Sequence, residues 1–353
     1  MTDVALDAWG WDEGWAAHLE QLTPGAQPAR VTSQQRARWV IQTADGPQPA
    51  RLPSASAARL TPVTGDWVAC VPGPSPSDPW SILRLLPRRS AVRRGAAGDT
   101  ASEQVLAANV DRLWIVQALD TPPNLRSLER YLAVGWESGT TPEIVLTKSD
   151  LAEALDEAVA QVRGISYGVA LWVTSVDDPA SLDLLRASLV AGSTVALLGP
   201  SGAGKSTLVN QLAQSDVART GAVRAGDKKG RHTTTGRELV QIHNGALLLD
   251  TPGMRELRVL SLDEGLGLTF PDIEQWAAHC HFGDCSHTSE PGCAVLRAVS
   301  ENELDEARLL SYRKLQAESA FERRRVDPLA RAEYVALHKT AMKTVKFHPK
   351  YRG

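Results

Sequence analysis

The chain has 353 residues, of which 43% are hydrophobic and 22% charged, and its formal net charge is −3. This balance is typical of globular chains and excludes collagen, a wholly disordered protein and a small disulfide-stapled scaffold. The length predicts two or three domains. No apolar run is long enough to cross a membrane, and the acidic N-terminus lacks a secretory signal, so we expect a cytoplasmic protein without membrane contact.

The first ninety residues predict a domain of short β-strands, assigned to residues 1–95. Partly alternating segments at 38–42, 50–52, 66–71 and 81–86 are separated by turns rich in Gly and Pro. This spacing predicts a small barrel or a sandwich, and periodicity does not choose between them. Cys70 lies in one of these strands, where a buried, unreactive thiol is expected.

The pattern changes near residue 109 to strands that alternate with helices. Buried strands are predicted at 113–118, 144–146, 169–173, 194–198 and 246–249, with helices at 151–163 and 181–190 between them. Alternation of this kind predicts βαβ units around a mainly parallel sheet. We assign this α/β domain to residues 96–257.

The strongest motif is GPSGAGKST, which fits the phosphate-binding pattern G-x-x-x-x-G-K-[ST] and lies between a predicted strand and a predicted helix. Its backbone N–H groups would face the phosphates, the lysine would reach the β- and γ-phosphates, and the serine hydroxyl would bind Mg²⁺. The chain is therefore predicted to bind a nucleoside triphosphate. The predicted contacts are Gly199, Pro200, Ser201, Gly202, Ala203, Gly204, Lys205, Ser206 and Thr207.

A guanine-binding element is predicted at Thr147, Lys148, Ser149 and Asp150, which follow a predicted strand and resemble N-K-x-D. The carboxylate can accept two hydrogen bonds from guanine that adenine cannot donate. The lysine stem would cover the base. Threonine in place of asparagine weakens the expected support for this loop. Ser175, in VTSVD, is a weaker candidate for the last guanine-contacting loop.

The segment after the phosphate loop predicts a catalytic switch. LLLDTPG ends a buried strand with Asp250, a candidate for water-mediated Mg²⁺ binding, and the Gly253 N–H would meet the γ-phosphate. Met254 follows, where Ras-type GTPases have glutamine, so intrinsic hydrolysis should be slow. His232 is a candidate to orient water. Thr233, Thr234 and Thr235 are all candidates for the Mg²⁺ contact, with Thr234 taken as ligand beside Ser206.

The order of these motifs is unusual because the guanine element precedes the phosphate loop. One sheet can accommodate either order if the chain is circularly permuted, since domain termini often lie close together. The permuted domain would end just after Gly253 and join the next domain directly. This arrangement leads to the hypothesis that nucleotide state moves the C-terminal domain through this junction.

A metal site is predicted from Cys280-x4-Cys285-x-His287-x5-Cys293. Three thiolates and one imidazole make a full tetrahedral set for structural Zn²⁺ and leave no position for a catalytic water. We expect loss of the metal to unfold this helical domain, assigned to residues 258–353. A long helix is predicted at 301–325, followed by a break at Pro328 and a basic tail.

Charge is unevenly distributed along the chain. Residues 308–352 contain twelve Lys or Arg and four Asp or Glu, whereas residues 1–29 contain five acids and no Lys or Arg. The basic segment fits a polyanionic partner or a solvated helical face.

Together, TKSD, GPSGAGKST, GRHTTT, DTPG and C-x4-C-x-H-x5-C with EPGCAV resemble the ribosome small subunit-dependent GTPase A family. QVLAANVDRLWIVQALD and GDWV add to the resemblance, which covers nearly the whole chain from about residue 30. The resemblance implies an N-terminal OB-fold, a circularly permuted GTPase domain and a C-terminal zinc domain. It places nucleotide contacts at 147–150 and 199–207, and zinc at the Cys/His cluster.

The resemblance also implies GTP hydrolysis in late maturation of the small (30S) ribosomal subunit, stimulated by that subunit and its 16S rRNA. The implied cofactors are one structural Zn²⁺ and Mg²⁺ with GTP, and a monomer is expected. The residues agree with this role, since RNA could contact the barrel face, the basic tail and arginines near the domain junction: Arg84, Arg88, Arg89, Arg93 and Arg94. The alternative for each of them is a solvated surface. The alternatives are a P-loop ATPase or kinase, and a nucleotide-gated RNA-binding module in which hydrolysis matters little.

Overall fold

The computed structural model describes residues 4–22, 25–35, 37–53, 60–95, 103–214, 237–250 and 262–336. The chain forms two compact units, one of Met1–Arg93 with Val105–Glu256 and the other of Arg94–Gln104 with Leu257–Gly353. None of the helices in the described ranges has the length and apolar character needed to cross a bilayer.

The first unit begins with two short helices, α1 (Val4–Asp7) and α2 (Glu13–Leu22), followed by five strands. These are β1 (Gln27–Gln35), β2 (Arg38–Thr43), β3 (Gly46–Arg51), β4 (Trp67–Val71) and β5 (Trp80–Leu85). They pair in the closed ring β1-β2-β3-β5-β4-β1, in which only β3 and β5 run parallel. A closed five-stranded ring is the barrel expected of an OB-fold, so the barrel prediction is confirmed.

The barrel closes because alternate side chains of its strands point inward. In β2, Trp39 and Ile41 are buried while Val40 between them is exposed. Cys70 lies in the same core, where burial raises the pKa of its thiol to about 12. The thiol is therefore protonated and unreactive at neutral pH. Beyond the barrel, β6 (Ala91–Gly95) and β7 (Glu103–Ala108) form a separate two-stranded sheet.

The rest of the first unit is a mainly parallel sheet covered by helices, which we call the nucleotide domain after the phosphate-binding motif predicted in it. In chain order its elements are β8 (Arg112–Ala118), α3 (Leu125–Glu137), β9 (Thr141–Thr147), a 3-10 turn (Ser149–Leu151), α4 (Leu155–Arg163), β10 (Leu171–Val173), α5 (Pro179–Ala187), β11 (Thr194–Leu198), α6 (Lys205–Ala213), β12 (Arg237–Gln241) and β13 (Leu247–Asp250). The strand order is β10-β9-β8-β11-β13-β12, and only β12 runs antiparallel to its neighbour in this part of the sheet. The central strands are buried on both faces, which explains their continuous apolar sequence.

The barrel and the nucleotide domain share one sheet of eleven strands. Strand β12 pairs antiparallel with the end of β1, with Ser33 opposite Glu238 and Gln34 opposite Arg237. The other end of β1 pairs with β4 and closes the barrel. Strand β1 therefore belongs to both structures, which the sequence pattern did not indicate.

The second unit contains α7 (Asp263–Thr269), α8 (Pro271–Ala277), α9 (Ala294–Ser300) and α10 (Glu306–Val326). The predicted start of the long helix at residue 301 is wrong, because the Asp305 side chain accepts a hydrogen bond from the Ala307 N–H and caps α10 there. Arg308 of α10 is buried against Asp272, with an Nε–Oδ2 distance of 2.5 Å, and its guanidinium lies 4.7 Å from the Phe270 ring centroid. Residues 328–336 are again helical, and the basic tail from 337 onward lies outside the described residues.

Candidate functional site

The phosphate loop lies between β11 and α6, at the carboxyl edge of the parallel sheet. Gly199 begins the loop so close to β8 that a Cβ there would lie 2.2 Å from the carbonyl oxygen of Val116. The Lys205 ammonium donates to the carbonyl oxygens of Gly199, at 2.8 Å, and Pro200, at 2.7 Å. The loop thus curls around the ammonium at the N-terminus of α6, an arrangement suited to a polyphosphate.

The guanine element follows β9 at the same edge of the sheet. Lys148 has a left-handed backbone conformation, with φ of 56°, and the 3-10 turn that follows contains Asp150. The Ser175 hydroxyl, at the end of the neighbouring β10, donates a hydrogen bond to the Asp150 carboxylate. It also accepts from the Asp177 N–H, at 3.0 Å. The structure therefore brings Ser175, the weaker candidate, into contact with the predicted base-binding carboxylate.

Thr147 links the guanine element to the phosphate loop. It is 6% exposed, and its hydroxyl donates a 2.7 Å hydrogen bond to the carbonyl oxygen of Ala203. The sequence comparison with N-K-x-D suggested that threonine would weaken the support for this loop. In the structure the single hydroxyl connects the two loops directly, since β9 and the phosphate loop approach closely here.

Lys148 also has a partner that the sequence motif did not indicate. Its ammonium lies 2.5 Å from Oδ2 of Asp120, which follows β8. The sequence contains a signal for this contact, because Asp120 comes shortly after the buried strand β8, as Asp150 comes shortly after β9. The carboxyl ends of parallel strands meet at one edge of a sheet. Both side chains are partly exposed, so the ion pair is worth little in stability.

The remaining catalytic candidates are only partly described. The Asp250 backbone ends β13, opposite Leu197 of β11 and Glu238 of β12, which brings it to the same edge as the phosphate loop. Ser206 lies in the first turn of α6. His232, the threonine run with Thr234, Gly253, Met254 and the junction after Gly253 lie outside the described residues, so their roles stay predictions.

The second unit brings the four predicted metal ligands together. Their ligand atoms all lie within 4.8 Å of one another. The Nδ1 atom of His287 lies 3.6 Å from Sγ of Cys280 and 3.5 Å from Sγ of Cys293. A tetrahedral ion with metal–sulfur bonds of about 2.3 Å separates two sulfurs by about 3.8 Å, and Sγ of Cys280 and Cys293 are 3.8 Å apart. The cluster, which includes Cys285, therefore fits a tetrahedral metal ion.

The loop that carries these ligands is fixed by its own hydrogen bonds. The Glu290 carboxylate accepts from the backbone N–H groups of Ser286, Thr288 and Ser289, at 2.8–3.0 Å. Together with the bond from the Ser286 hydroxyl, these hold the pKa of Glu290 well below its usual value. Burial lowers the pKa of His287, which favours the neutral imidazole that a metal requires.

Two of the arginines expected to contact RNA are engaged within the chain. Arg88 makes a two-pronged ion pair with the buried Asp66, at 2.7 and 2.8 Å. Arg89 pairs with Asp12, and its guanidinium lies 4.3 Å from the Trp15 ring centroid. These ion pairs hold the two arginines against carboxylates from elsewhere in the unit. Contact of the five arginines with RNA stays a prediction.

The strand order, the phosphate loop and the guanine element define a circularly permuted P-loop GTPase. The RsgA GTPase family model matches residues 85–260. A relative from Opitutus terrae, named small ribosomal subunit biogenesis GTPase RsgA, is 43% identical over 94% of each chain. One of the same name from Streptomyces coelicolor is 41% identical, over 93% of this chain and 90% of its own. The chain belongs to the RsgA GTPase family and is a GTP hydrolase.

Two solved structures share the fold. YjeQ from Thermotoga maritima aligns with a TM-score of 0.61 and 22% identity, covering 83% of this chain and 98% of its own. YloQ, titled a circularly permuted GTPase, aligns with a TM-score of 0.60 and 23% identity, covering 84% of this chain and 96% of its own. Both likenesses support the permuted fold deduced from the motif order.

Proposed function

We propose that this chain hydrolyses GTP during late maturation of the small ribosomal subunit in the cytoplasm, as a monomer, with slow intrinsic turnover that the subunit and its 16S rRNA stimulate. The observation that carries the GTP assignment is the Asp150 carboxylate held by Ser175 beside a phosphate loop. The names of the relatives carry the assignment of the subunit. The domain division 1–95, 96–257 and 258–353 is part of the same proposal.

Each part of the nucleotide would meet residues of matching chemistry. Asp150 accepts hydrogen bonds from guanine, Lys148 covers the base, and Lys205 with the backbone of residues 199–207 binds the phosphates. Mg²⁺ with GTP would neutralise charge that develops on the phosphates. Ser206, Thr234 and Asp250 are the residues proposed to hold it.

Hydrolysis in this proposal depends on groups after the phosphate loop. The Gly253 N–H would contact the γ-phosphate, and His232 would orient the attacking water, since Met254 has no polar atom suited to that task. A small ribosomal subunit that positions these groups at the γ-phosphate would accelerate turnover. Changing His232 to alanine should therefore lower stimulated turnover while leaving GDP binding intact.

The metal cluster is proposed to hold one structural Zn²⁺. Four protein ligands leave no open position, so the ion would stabilise the fold of the second unit rather than activate water. The donor set supports zinc because three thiolates with one imidazole are typical of structural zinc sites.

The decisive experiment measures GTP turnover with and without purified small subunits, with ATP as the control nucleotide. We expect a large stimulation that is specific for GTP and for the small subunit. Equal turnover of ATP would contradict the role of Asp150. Slow GTP turnover that subunits leave unchanged would contradict the proposed partner. A Lys205→Ala variant that cannot hydrolyse GTP but releases subunits normally would favour the RNA-binding alternative.

A second experiment tests base selection directly. Changing Asp150 to asparagine replaces an acceptor by a donor, which matches the 2-carbonyl of xanthine rather than the 2-amino group of guanine. We expect GTP turnover to fall and XTP turnover to rise. Changing Asp156, an exposed carboxylate in the first turn of α4, to asparagine is the matched control and should change neither.

A further inference from the structure

Residues 4–22, which we call the N-terminal clasp, contact both the barrel and the nucleotide domain. We propose that the clasp locks the barrel onto the nucleotide domain, with Arg30 as the positioning residue at the centre of the lock. The clasp then sets the orientation in which the barrel presents its surface to a partner. This role is separate from nucleotide and metal binding.

On the barrel side, the clasp contributes two tryptophans to an aromatic cluster. The ring centroids of Trp11 and Trp15 lie 4.8 Å and 6.4 Å from that of Trp67 in β4. Trp67 is 1% exposed, and Leu6 and Leu86 are buried in the same cluster. Since aromatic side chains bury large areas, this cluster anchors the clasp to the barrel.

On the nucleotide-domain side, the clasp makes close backbone contacts. The Gln241 side chain of β12 donates a 2.8 Å hydrogen bond to the carbonyl oxygen of Ala8. Gly10 lies against Gly192, which precedes β11, so closely that a Cβ on Gly10 would be 2.6 Å from the Gly192 carbonyl oxygen. Gly192 precedes the start of β11, and Gln241 is the last residue of β12, opposite the first residue of β13. These contacts therefore place the clasp at the edge of the sheet opposite the phosphate loop.

Arg30 of the barrel strand β1 connects the clasp, the barrel and the nucleotide domain. It is 2% exposed, and its guanidinium donates to the carbonyl oxygen of Trp9 in the clasp, to that of Asn109 at 3.0 Å, and to the Thr194 hydroxyl of β11 at 2.7 Å. Its pKa is lowered to about 10 by burial, so it stays charged at neutral pH. A buried cation with partners in the clasp, in the segment between β7 and β8, and in β11 fixes their relative positions.

The charge of the clasp also favours an internal role. It carries four acids, Asp7, Asp12, Glu13 and Glu20, and no Lys or Arg. Such a segment repels RNA phosphates rather than binding them. Asp12 instead pairs with Arg89 of the same unit, at 2.5 Å. The acidic clasp is therefore suited to contacts with basic groups of its own chain.

The test compares two glycine substitutions that cause the same backbone strain. Gly10 and Gly25 both have left-handed φ values, 83° and 79°, but a Cβ on Gly25 meets nothing within 4 Å. We expect Gly10→Ala to accelerate hydrogen exchange of the β1–β12 backbone amides roughly tenfold, with Gly25→Ala close to the unchanged protein. Both variants should bind GDP normally. Equal exchange in the two variants overturns the proposal.

A milder variant covers the case in which Gly10→Ala does not fold. Asp12→Asn removes the negative charge that pairs with Arg89 and should accelerate exchange of the same amides by roughly two- to fivefold, more at low salt than at high salt. The neighbouring Glu13→Gln, on an exposed residue of α2, is its control. If these amides exchange at the same rate in Asp12→Asn as in Glu13→Gln, the proposal that the clasp holds the barrel against the nucleotide domain is contradicted.

The consequence for a partner rests on the proposed function and is measured separately. In Gly10→Ala we expect the small-subunit concentration for half-maximal stimulation to rise roughly fivefold, with intrinsic GTP turnover unchanged. An unchanged half-maximal concentration, with faster exchange, contradicts the orienting role. If subunits fail to stimulate even the unchanged protein, the proposed partner is wrong, and the exchange result still decides whether the clasp is a lock.

Discussion

Replacing Thr147 by valine removes one hydroxyl and keeps the shape of the side chain, so it tests the link between the guanine element and the phosphate loop. The lost bond is the 2.7 Å contact with the Ala203 carbonyl oxygen, between residues that are 6% and 2% exposed. A buried hydrogen bond contributes about 0.5–1.5 kcal/mol, and an acceptor left unpaired costs about 1–3 kcal/mol. We therefore expect a loss of about 2 kcal/mol in unfolding free energy.

Nucleotide affinity should fall as well, because the Ala203 carbonyl belongs to the loop that binds the phosphates. If about 1.4 kcal/mol of this loss also weakens the free energy of GDP binding, the GDP dissociation constant rises about tenfold. Titration with a fluorescent GDP analogue and denaturant unfolding measure the two effects. The Thr147→Ser variant keeps the hydroxyl and should stay within about threefold of the unchanged protein in affinity. A valine variant that matches the unchanged protein in both assays refutes the link.

Three further predictions concern the metal, pH and a buried carboxylate. Cys285→Ser should abolish the zinc binding proposed for the Cys/His cluster, measured by metal analysis, and lower helical circular dichroism through loss of the second unit, while GDP binding persists. The pKa of Asp12 is lowered chiefly by the hydrogen bond from Arg89; its stabilising effect is present above the usual carboxyl pKa and is lost below about pH 4, a loss that Asp12→Asn should abolish in thermal unfolding. Glu143 accepts from Arg112 and from two indole N–H groups, so Glu143→Gln should destabilise the protein by about 3 kcal/mol in denaturant titration.

The parts of the fold that the sequence predicted are those in which local pattern and burial agree. Strand β11 was predicted at its observed bounds, since a strand buried on both faces is a continuous apolar run. The motif order predicted the permuted sheet because each motif follows a strand whose carboxyl end lies at one edge. The helix predicted at 151–163 is instead a 3-10 turn and then α4 from Leu155, because the guanine element occupies the first residues.

The parts that the sequence did not predict depend on contacts between distant segments. Strand β1 has no strong alternation, since one end closes the barrel and the other pairs with β12. The partner of Arg89 is 77 positions away, at Asp12, and no spacing rule connects them. The hydrogen bond from Thr147 to Ala203 likewise joins segments that are distant along the chain. Such contacts follow from the tertiary fold and carry no local signature.

The pairing of β1 with β12 has a consequence for biosynthesis. Strand β1 is synthesised long before β12, which follows only after most of the nucleotide domain. Pairings between distant segments form late because the intervening loop must first be closed. Until then the end of β1 is an unpaired strand edge, which can associate with other chains. A nascent chain arrested before residue 237 should therefore be more prone to aggregation than one released after residue 241.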